Sequence, residues 1–180
     1  MTLHQDRFSF QGQIWKQHLK PGDRAIDATC GNGHDTLFLS GMGLSHLYVF
    51  DIQKKALEET KKRVGEENIS YHLECHSTFP GVEENIELIV YNLGYLPGGD
   101  KSITTRVNTT LKSVSKGLTL LSRGGLMTLT LYPGHTEGKR EKEALLEFAK
   151  TFPKESFEVS HKTWGEKMTA PSMLLIQKAL

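Results

Sequence analysis

The stretch Asp27-Ala28-Thr29-Cys30-Gly31-Asn32-Gly33 decides how this chain reads. Arg24 to Ala28 has the pattern of a short buried strand, and His34 to about Met42 that of a short helix. A strand that enters a helix through Gly31 and Gly33 brings backbone close to a ligand and aims unpaired helix N–H groups at it. A dinucleotide-binding loop wants a third glycine three residues after Gly33, where this chain has Thr36. Asp27 closes the strand, and a carboxylate there suits a cationic ligand better than a pyrophosphate.

These features point to S-adenosylmethionine, which carries an ammonium and a sulfonium and no pyrophosphate. Asp51 ends the second strand, 24 residues after Asp27, where a carboxylate can accept both ribose hydroxyls. Gln53 is within reach of the same ribose or of the adenine. His76 and Ser77, after the third strand, are placed to touch the adenine edge. Plainer roles exist for the same residues: Asp27 as a helix cap, Asp51 as a turn former, Asp35 as a complement to the helix dipole. The agreement of loop, spaced acid and element order favours the ligand reading.

Outward from the loop, strands alternate with helices. Phe10, Ile14 and Trp15 have helical spacing, and Pro21-Gly22-Asp23 ends that opening helix. Leu47 to Phe50 is a continuous apolar run of the kind buried in parallel sheets. Lys54 to Val64 is a charged helix with Glu58–Lys62 and Glu59–Arg63 spaced as i,i+4 pairs. Ile69, Tyr71 and Leu73 alternate as a third strand, and Ile86 to Tyr91 forms a fourth that ends at Asn92. Val107, Leu111, Val114, Leu118 and Leu121 mark one apolar helix face, with Gly124-Gly125 as its expected stop. Leu126 to Tyr132 reads as a fifth strand and Lys139 to about Lys150 as a helix with Leu145, Phe148 and Ala149 inward. Phe157 to Trp164 and Met173 to Gln177 close the chain as strands. This order predicts an α/β fold, a mostly parallel sheet with helices on both faces. Seven strands, the last two without a long helix between them, fit a seven-stranded sheet ending in an antiparallel hairpin.

The length of 180 residues suits one domain, 1–180. Such a chain can bury roughly two-thirds of its unfolded surface without disulfides or metals. A net charge of +1 argues against blanket, charge-driven nucleic-acid binding. Cys30 and Cys75 are too few for a disulfide framework and lack metal-site spacing, so a reduced, cytoplasmic protein without metal is expected. His4, Gln5, Asp6 and Arg7 do not read as a signal peptide, and no apolar run approaches the roughly 20 residues that span a bilayer.

The fourth strand runs into Tyr91-Asn92-Leu93-Gly94-Tyr95-Leu96-Pro97-Gly98-Gly99-Asp100-Lys101. Ligands of open α/β sheets sit at the carboxyl ends of strands, so this segment is the candidate acceptor-substrate side. Asn92 offers a carbonyl to an amine or amide proton, and Tyr95 a face on which a base can stack. Tyr132-Pro133-Gly134-His135 ends the fifth strand on the same rim. Lys101, Arg106, Lys139, Arg140 and Lys142 are candidate phosphate contacts, although such a run also fits a solvated helix face.

Asp27-Ala-Thr-Cys-Gly-Asn-Gly-His-Asp-Thr36 and Asn92-Leu-Gly-Tyr-Leu-Pro-Gly-Gly-Asp-Lys101 together resemble the MnmM (YtqB-like) family of tRNA 5-aminomethyl-2-thiouridine methyltransferases. The resemblance spans nearly the whole chain. It implies a class I, Rossmann-like methyltransferase fold whose last strand inserts between its neighbours. It implies S-adenosylmethionine as methyl donor, the wobble uridine in the tRNA anticodon loop as acceptor, and a homodimer. By the resemblance, Asn32, Asp35, Asp51 and Gln53, with His76, fall on cofactor positions beside Asp27, Gly31, Gly33 and Thr36. Asn92, Tyr95 and the Pro97-Gly98-Gly99 loop fall on the substrate side, with Asn92 and Tyr95 the candidates at the reacting group; Leu93, Gly94, Lys101, Tyr132 and His135 are candidate substrate contacts from their place on the same rim. One departure is visible: an Asn-Asn-Pro-Pro-like run common in the family is here Thr169-Ala170-Pro171-Ser172.

The implied reaction is an in-line transfer of methyl from sulfonium to a primary amine. The leaving group is already excellent, so positioning and desolvation carry the catalysis and no strong nucleophile is expected. Pyrimidine C5 methylation would instead need a thiolate, for which Cys30 and Cys75 are the candidates, although both read more simply as packing residues. Other readings are a methyltransferase acting on rRNA or a small molecule, an NAD-dependent oxidoreductase, and a non-catalytic nucleotide- or RNA-binding module. Thr36 and the lack of a hydride-transfer pair count against the oxidoreductase, and the substrate-side motif against the module.

Overall fold

The apolar runs Leu47–Phe50 and Leu88–Tyr91 become inner strands because both of their faces can be buried. The computed structural model describes the backbone of residues 3–180 and the side chains of residues 9–180. In chain order the elements are α1 (Leu3–His18), β1 (Arg24–Asp27), α2 (His34–Ser40), β2 (His46–Asp51), α3 (Lys54–Val64) and β3 (Ile69–Leu73). Then come β4 (Ile86–Asn92), α4 (Val107–Leu120), β5 (Leu121–Leu131), α5 (Thr136–Ala149), β6 (Phe157–Thr163) and β7 (Ser172–Lys178).

The strands form one sheet in the order β3-β2-β1-β4-β5-β7-β6. β1 to β5 pair in parallel, while β7 lies antiparallel between β5 and β6. Alternate residues of a strand face opposite sides of the sheet, and this sorts the core. Leu88 and Val90 of β4 pack with Trp15, Leu39 and Leu57 under α1, α2 and α3. Ile89 and Tyr91 pack with Val114 and Leu145 under α4 and α5. The order of strands reverses between β1 and β4, and the crevice at the carboxyl ends there is where open α/β sheets take ligands. No helix among the described residues is long and apolar enough to cross a membrane.

Two boundaries differ from the sequence expectation by three residues or more. Gly124-Gly125 does not end α4, which stops at Leu120 and passes directly into β5. The glycines lie inside β5, where the register against β4 shifts between Ile86 and Leu88. Gly124 has a positive φ of 75°, and a Cβ on Gly125 would approach Ile86 O to 2.9 Å, so the bulge requires glycine. α5 starts at Thr136, three residues before Lys139, because His135 serves as its N-cap.

Candidate functional site

β1 carries Asp27 to the base of the glycine loop, where the side chain is fully buried. Thr36 Oγ1 donates to Asp27 Oδ2 at 2.6 Å and Thr29 N–H donates to Oδ1 at 3.3 Å. Burial, aided by the charges of Asp35 and Asp51, pushes this carboxyl up to about 7. Sequence reading put Asp27, Thr36 and Gly33 on the ligand, but all three brace the loop from behind and none lines the cavity. A Cβ on Gly33 would meet Thr60 Oγ1 at 2.7 Å, so this glycine lets the loop pack against α3.

The rest of the loop does reach the cavity, whose volume is about 740 Å³. Gly31 adopts a positive φ of 52° and donates its N–H to Asp51 Oδ2 at 3.0 Å. Gln53 N–H donates to Asp51 Oδ1 at 2.9 Å. Both oxygens of Asp51 are thereby held at the end of β2, and burial raises its carboxyl above the usual range. Asn32, Asp35, Gln53 and His76 line the same cavity. His76 is buried, Nδ1 has no partner among the described residues, and burial pushes the ring down to about 4, so it is neutral near pH 7.

Asn92 stands at the carboxyl end of β4 on the cavity wall. Its backbone N–H donates to Thr29 Oγ1 at 2.7 Å, which ties the strand end to the glycine loop. Its side-chain Nδ2 donates to Asp35 Oδ2. Gln11 Nε2, from α1, donates to the same oxygen at 3.0 Å, and Thr130 Oγ1 on β5 donates to Gln11 Oε1 at 3.3 Å. A carboxylate only accepts, so Asp35 fixes the orientation of the Asn92 amide and leaves Oδ1 as the end available to a ligand. Asp35 is therefore more than a complement to the dipole of α2; it joins the two sides of the cavity.

Beyond Asn92 the chain makes an excursion closed at its base by Gly94 and Thr105. Gly94 N–H donates to Thr105 Oγ1 at 2.8 Å and Thr105 N–H to Gly94 O at 3.0 Å. Thr105 Oγ1 in turn donates to buried Glu141 Oε2 at 2.8 Å, and Thr110 Oγ1 to Oε1 at 2.5 Å. Leu93, Gly94, Tyr95 and Pro97 line the cavity, as do Tyr132 and His135. The Tyr95 ring lies 5.3 Å from that of His135, and Lys101 Nζ lies 5.6 Å from the Tyr95 centroid. Gly98, Gly99 and Lys101, expected on the substrate, sit outside the cavity at the exposed tip, where Gly99 N–H turns back to Leu96 O at 2.9 Å. Burial, then the charge of Asp27, drives the Cys30 thiol far above its usual range, which removes it as a thiolate nucleophile.

The family model described as "Putative rRNA methylase" matches residues 47–178. The chain belongs to that family. Its relatives include the chloroplastic tRNA (mnm(5)s(2)U34)-methyltransferase of Arabidopsis thaliana, 38% identical over 157 residues and 78% of this chain. The chain spans 57% of the length of that plant protein. A crystal structure bearing the same description as the family, from Clostridium thermocellum, superposes with a TM-score of 0.90 at 33% identity, covering 95% of this chain and 96% of the other. A Streptococcus mutans protein solved in complex with SAH gives 0.85 at 33% identity, covering 95% and 97%. The fold is thus the class I methyltransferase fold, with β7 inserted antiparallel between β5 and β6.

Within this family frame, some residues at or behind the site escaped sequence reading. Thr169 and Pro171 reach the cavity from the turn before β7, the substrate-side turn that the sequence singled out for its departure from the family pattern without giving these residues a role. Gln11 and Glu141 lie behind the site rather than in it, on helices far along the chain from Asn92, and no motif announces them.

Proposed function

We propose that this protein is an S-adenosylmethionine-dependent methyltransferase that acts on the amine of 5-aminomethyl-2-thiouridine at the tRNA wobble position, giving 5-methylaminomethyl-2-thiouridine. The observation that carries the reading is one cavity shared by the glycine loop and by Asn92, whose amide is oriented by Asp35. The plant relative's name supports the acceptor. The residues present fit the donor. Asp35 and Asp51 line the cavity on either side of the loop, and their charges help to raise the buried Asp27 carboxyl; a cationic nucleoside answers those two charges. Bound there, S-adenosylmethionine supplies an electrophilic methyl on a sulfonium.

The chain's own residues then bind and orient. Asp51, held by two backbone N–H groups, presents its remaining lone pairs to the ribose hydroxyls. Gln53 and neutral His76 stand on the same wall for the ribose and base. Asn92 Oδ1 accepts a hydrogen bond from the acceptor amine and turns its lone pair toward the methyl. An ammonium must lose a proton before it attacks, and the apolar lining from Leu93, Leu96 and Ile103 favours the neutral amine. Tyr95 gives the pyrimidine a stacking face once Lys101 moves off it. The 180 residues act as one domain, in the cytoplasm and as a homodimer.

Mass spectrometry of tRNA nucleosides from cells lacking the protein tests the reading. The aminomethyl precursor should accumulate and the methylaminomethyl product should disappear; an unchanged profile would sink it. At the residue level, Asn92→Ala should lower turnover on saturating tRNA by about tenfold or more. Full turnover in that variant would remove Asn92 from the mechanism.

A further inference from the structure

We propose that Gln11 of α1 is a positioning residue for methyl transfer: it holds the Asp35 carboxylate, and through it the Asn92 amide, in the orientation that turns Asn92 Oδ1 to the acceptor amine. This rests on the reading of Asn92 given above. Gln11 is 2% exposed and does not line the cavity, so it acts through Asp35 rather than on a ligand.

Among the described residues, the bonds that join Thr130, Gln11, Asp35 and Asn92 run in one direction. Asp35 Oδ2 only accepts, so both amides that reach it must present their nitrogens. With Gln11 Nε2 committed to Asp35, Oε1 faces Thr130, whose hydroxyl donates to it. The order Thr130 to Gln11 to Asp35, with Asn92 on the same oxygen, leaves one arrangement of two amides that could otherwise flip. It spans α1, α2, β4 and β5, so it sets the two sides of the cavity against each other. A buried amide serving only to fill space would be costly, since leucine or methionine fills the same volume without a polar group to satisfy.

A second bond separates anchoring from positioning. Trp15, one turn along α1 from Gln11, donates Nε1–H to Thr128 Oγ1 at 3.2 Å. Thr128 and Thr130 lie two residues apart on β5 and share one face, so α1 is fastened to β5 at two points, while His18 Nε2 meets Glu87 O of β4 at 2.8 Å. Among the described residues, only the Gln11 fastening continues to Asp35 and Asn92. Trp15→Phe therefore cuts an anchor of α1 and leaves the amide chain whole.

The test compares Gln11→Met, which keeps the volume and loses the amide, with Trp15→Phe and Asn92→Ala. Gln11→Met should lower kcat by about tenfold or more, with KM for tRNA within about twofold. Trp15→Phe should lose thermal stability and keep kcat within about twofold of the parent. In the ligand-free protein, the Asn92 side-chain NH2 signal should shift in Gln11→Met and hold its position in Trp15→Phe. Thr130→Val, which removes the hydroxyl that orients Gln11, should show the same signature more weakly and decides the matter should Gln11→Met fail to fold. Parental kcat in Gln11→Met, an unmoved Asn92 signal, or an equal kcat loss in Trp15→Phe overturns the proposal. If Asn92→Ala is fully active, it is the reading of Asn92 that fails; if Asn92→Ala is impaired and Gln11→Met is not, the role of Gln11 alone fails.

Discussion

Asp27 shows how a residue can be found for one reason and kept for another. Its position beside the glycine loop marks the loop, yet the carboxylate is sealed behind it and serves Thr36 and Thr29. Its folded pKa of about 7 lies above the unfolded value near 3.9, so the folded state holds a proton that the unfolded chain releases. That contribution is fully present below about pH 4 and is lost as pH rises through about 7. Asp27→Asn should therefore gain stability relative to the parent at pH 8 and show a smaller gain at pH 5, read by urea unfolding at both values. A gap that does not change with pH would show that Asp27 is ionised in the fold. Asp51 and Asn92 were legible as site residues because each ends a strand, and strand ends can be located from the apolar run before them. Gln11 was not, because its partner Asp35 lies 24 residues away and nothing in the local pattern of α1 predicts a buried amide.

At the scale of elements, the start of α5 was misread because its cap is a histidine, outside the usual Ser, Thr, Asp and Asn set. His135 Nδ1 accepts from Gly138 N–H at 3.2 Å, which completes the first turn and fixes the ring beside Tyr95. Gly138 has to be glycine: a Cβ there would lie 2.2 Å from Tyr132 O and 2.7 Å from His135 Nε2. Gly138→Ala should thus destabilise by about 2 kcal/mol, although helix propensity alone favours alanine by about 1 kcal/mol. Equilibrium unfolding checks the sign, and a stabilised variant would show that the contact relaxes freely. The misplaced end of α4 has a related cause. Gly124-Gly125 looks like a helix stop, but the two glycines meet a demand of the sheet, the bulge beside Ile86. Periodicity located the face of α4 in part: Val114 and Leu118 are buried, Val107 and Leu111 half-buried, but Leu121 belongs to β5 and Thr110, Ser113 and Gly117 share the buried face; the bulge depends on a neighbouring strand 36 residues away and leaves no local trace.

For the whole molecule, alternation of strand and helix patterns was enough to read the doubly wound sheet, since a chain of this order has few other ways to bury its apolar runs. The placement of β7 came through family resemblance, because two adjacent strands with a short turn fit a simple edge hairpin equally well. Charge is the remaining property of the whole molecule with a functional consequence. Under the proposed function, a net charge of +1 gives no general attraction to tRNA, so affinity would rest on few local cations. Lys139 and Arg140 are partly answered by Glu143 at 3.9 Å and Glu137 at 3.4 Å, the pattern of a solvated helix face. Lys101, poised over Tyr95, and Arg106, on the cavity rim, are better placed for anticodon-loop phosphates. The dependence of tRNA affinity on salt should accordingly be shallow, with a log–log slope of about −2. Lys101→Ala and Arg106→Ala should each reduce that slope by about 0.7, as expected for single-stranded nucleic acid, and leave S-adenosylmethionine affinity unchanged. Lys139→Ala should leave the slope where it was. Fluorescence anisotropy of a labelled anticodon stem-loop across a salt series measures all three; a slope carried by Lys139 instead would move the RNA path from the Tyr95 loop to the outer face of α5.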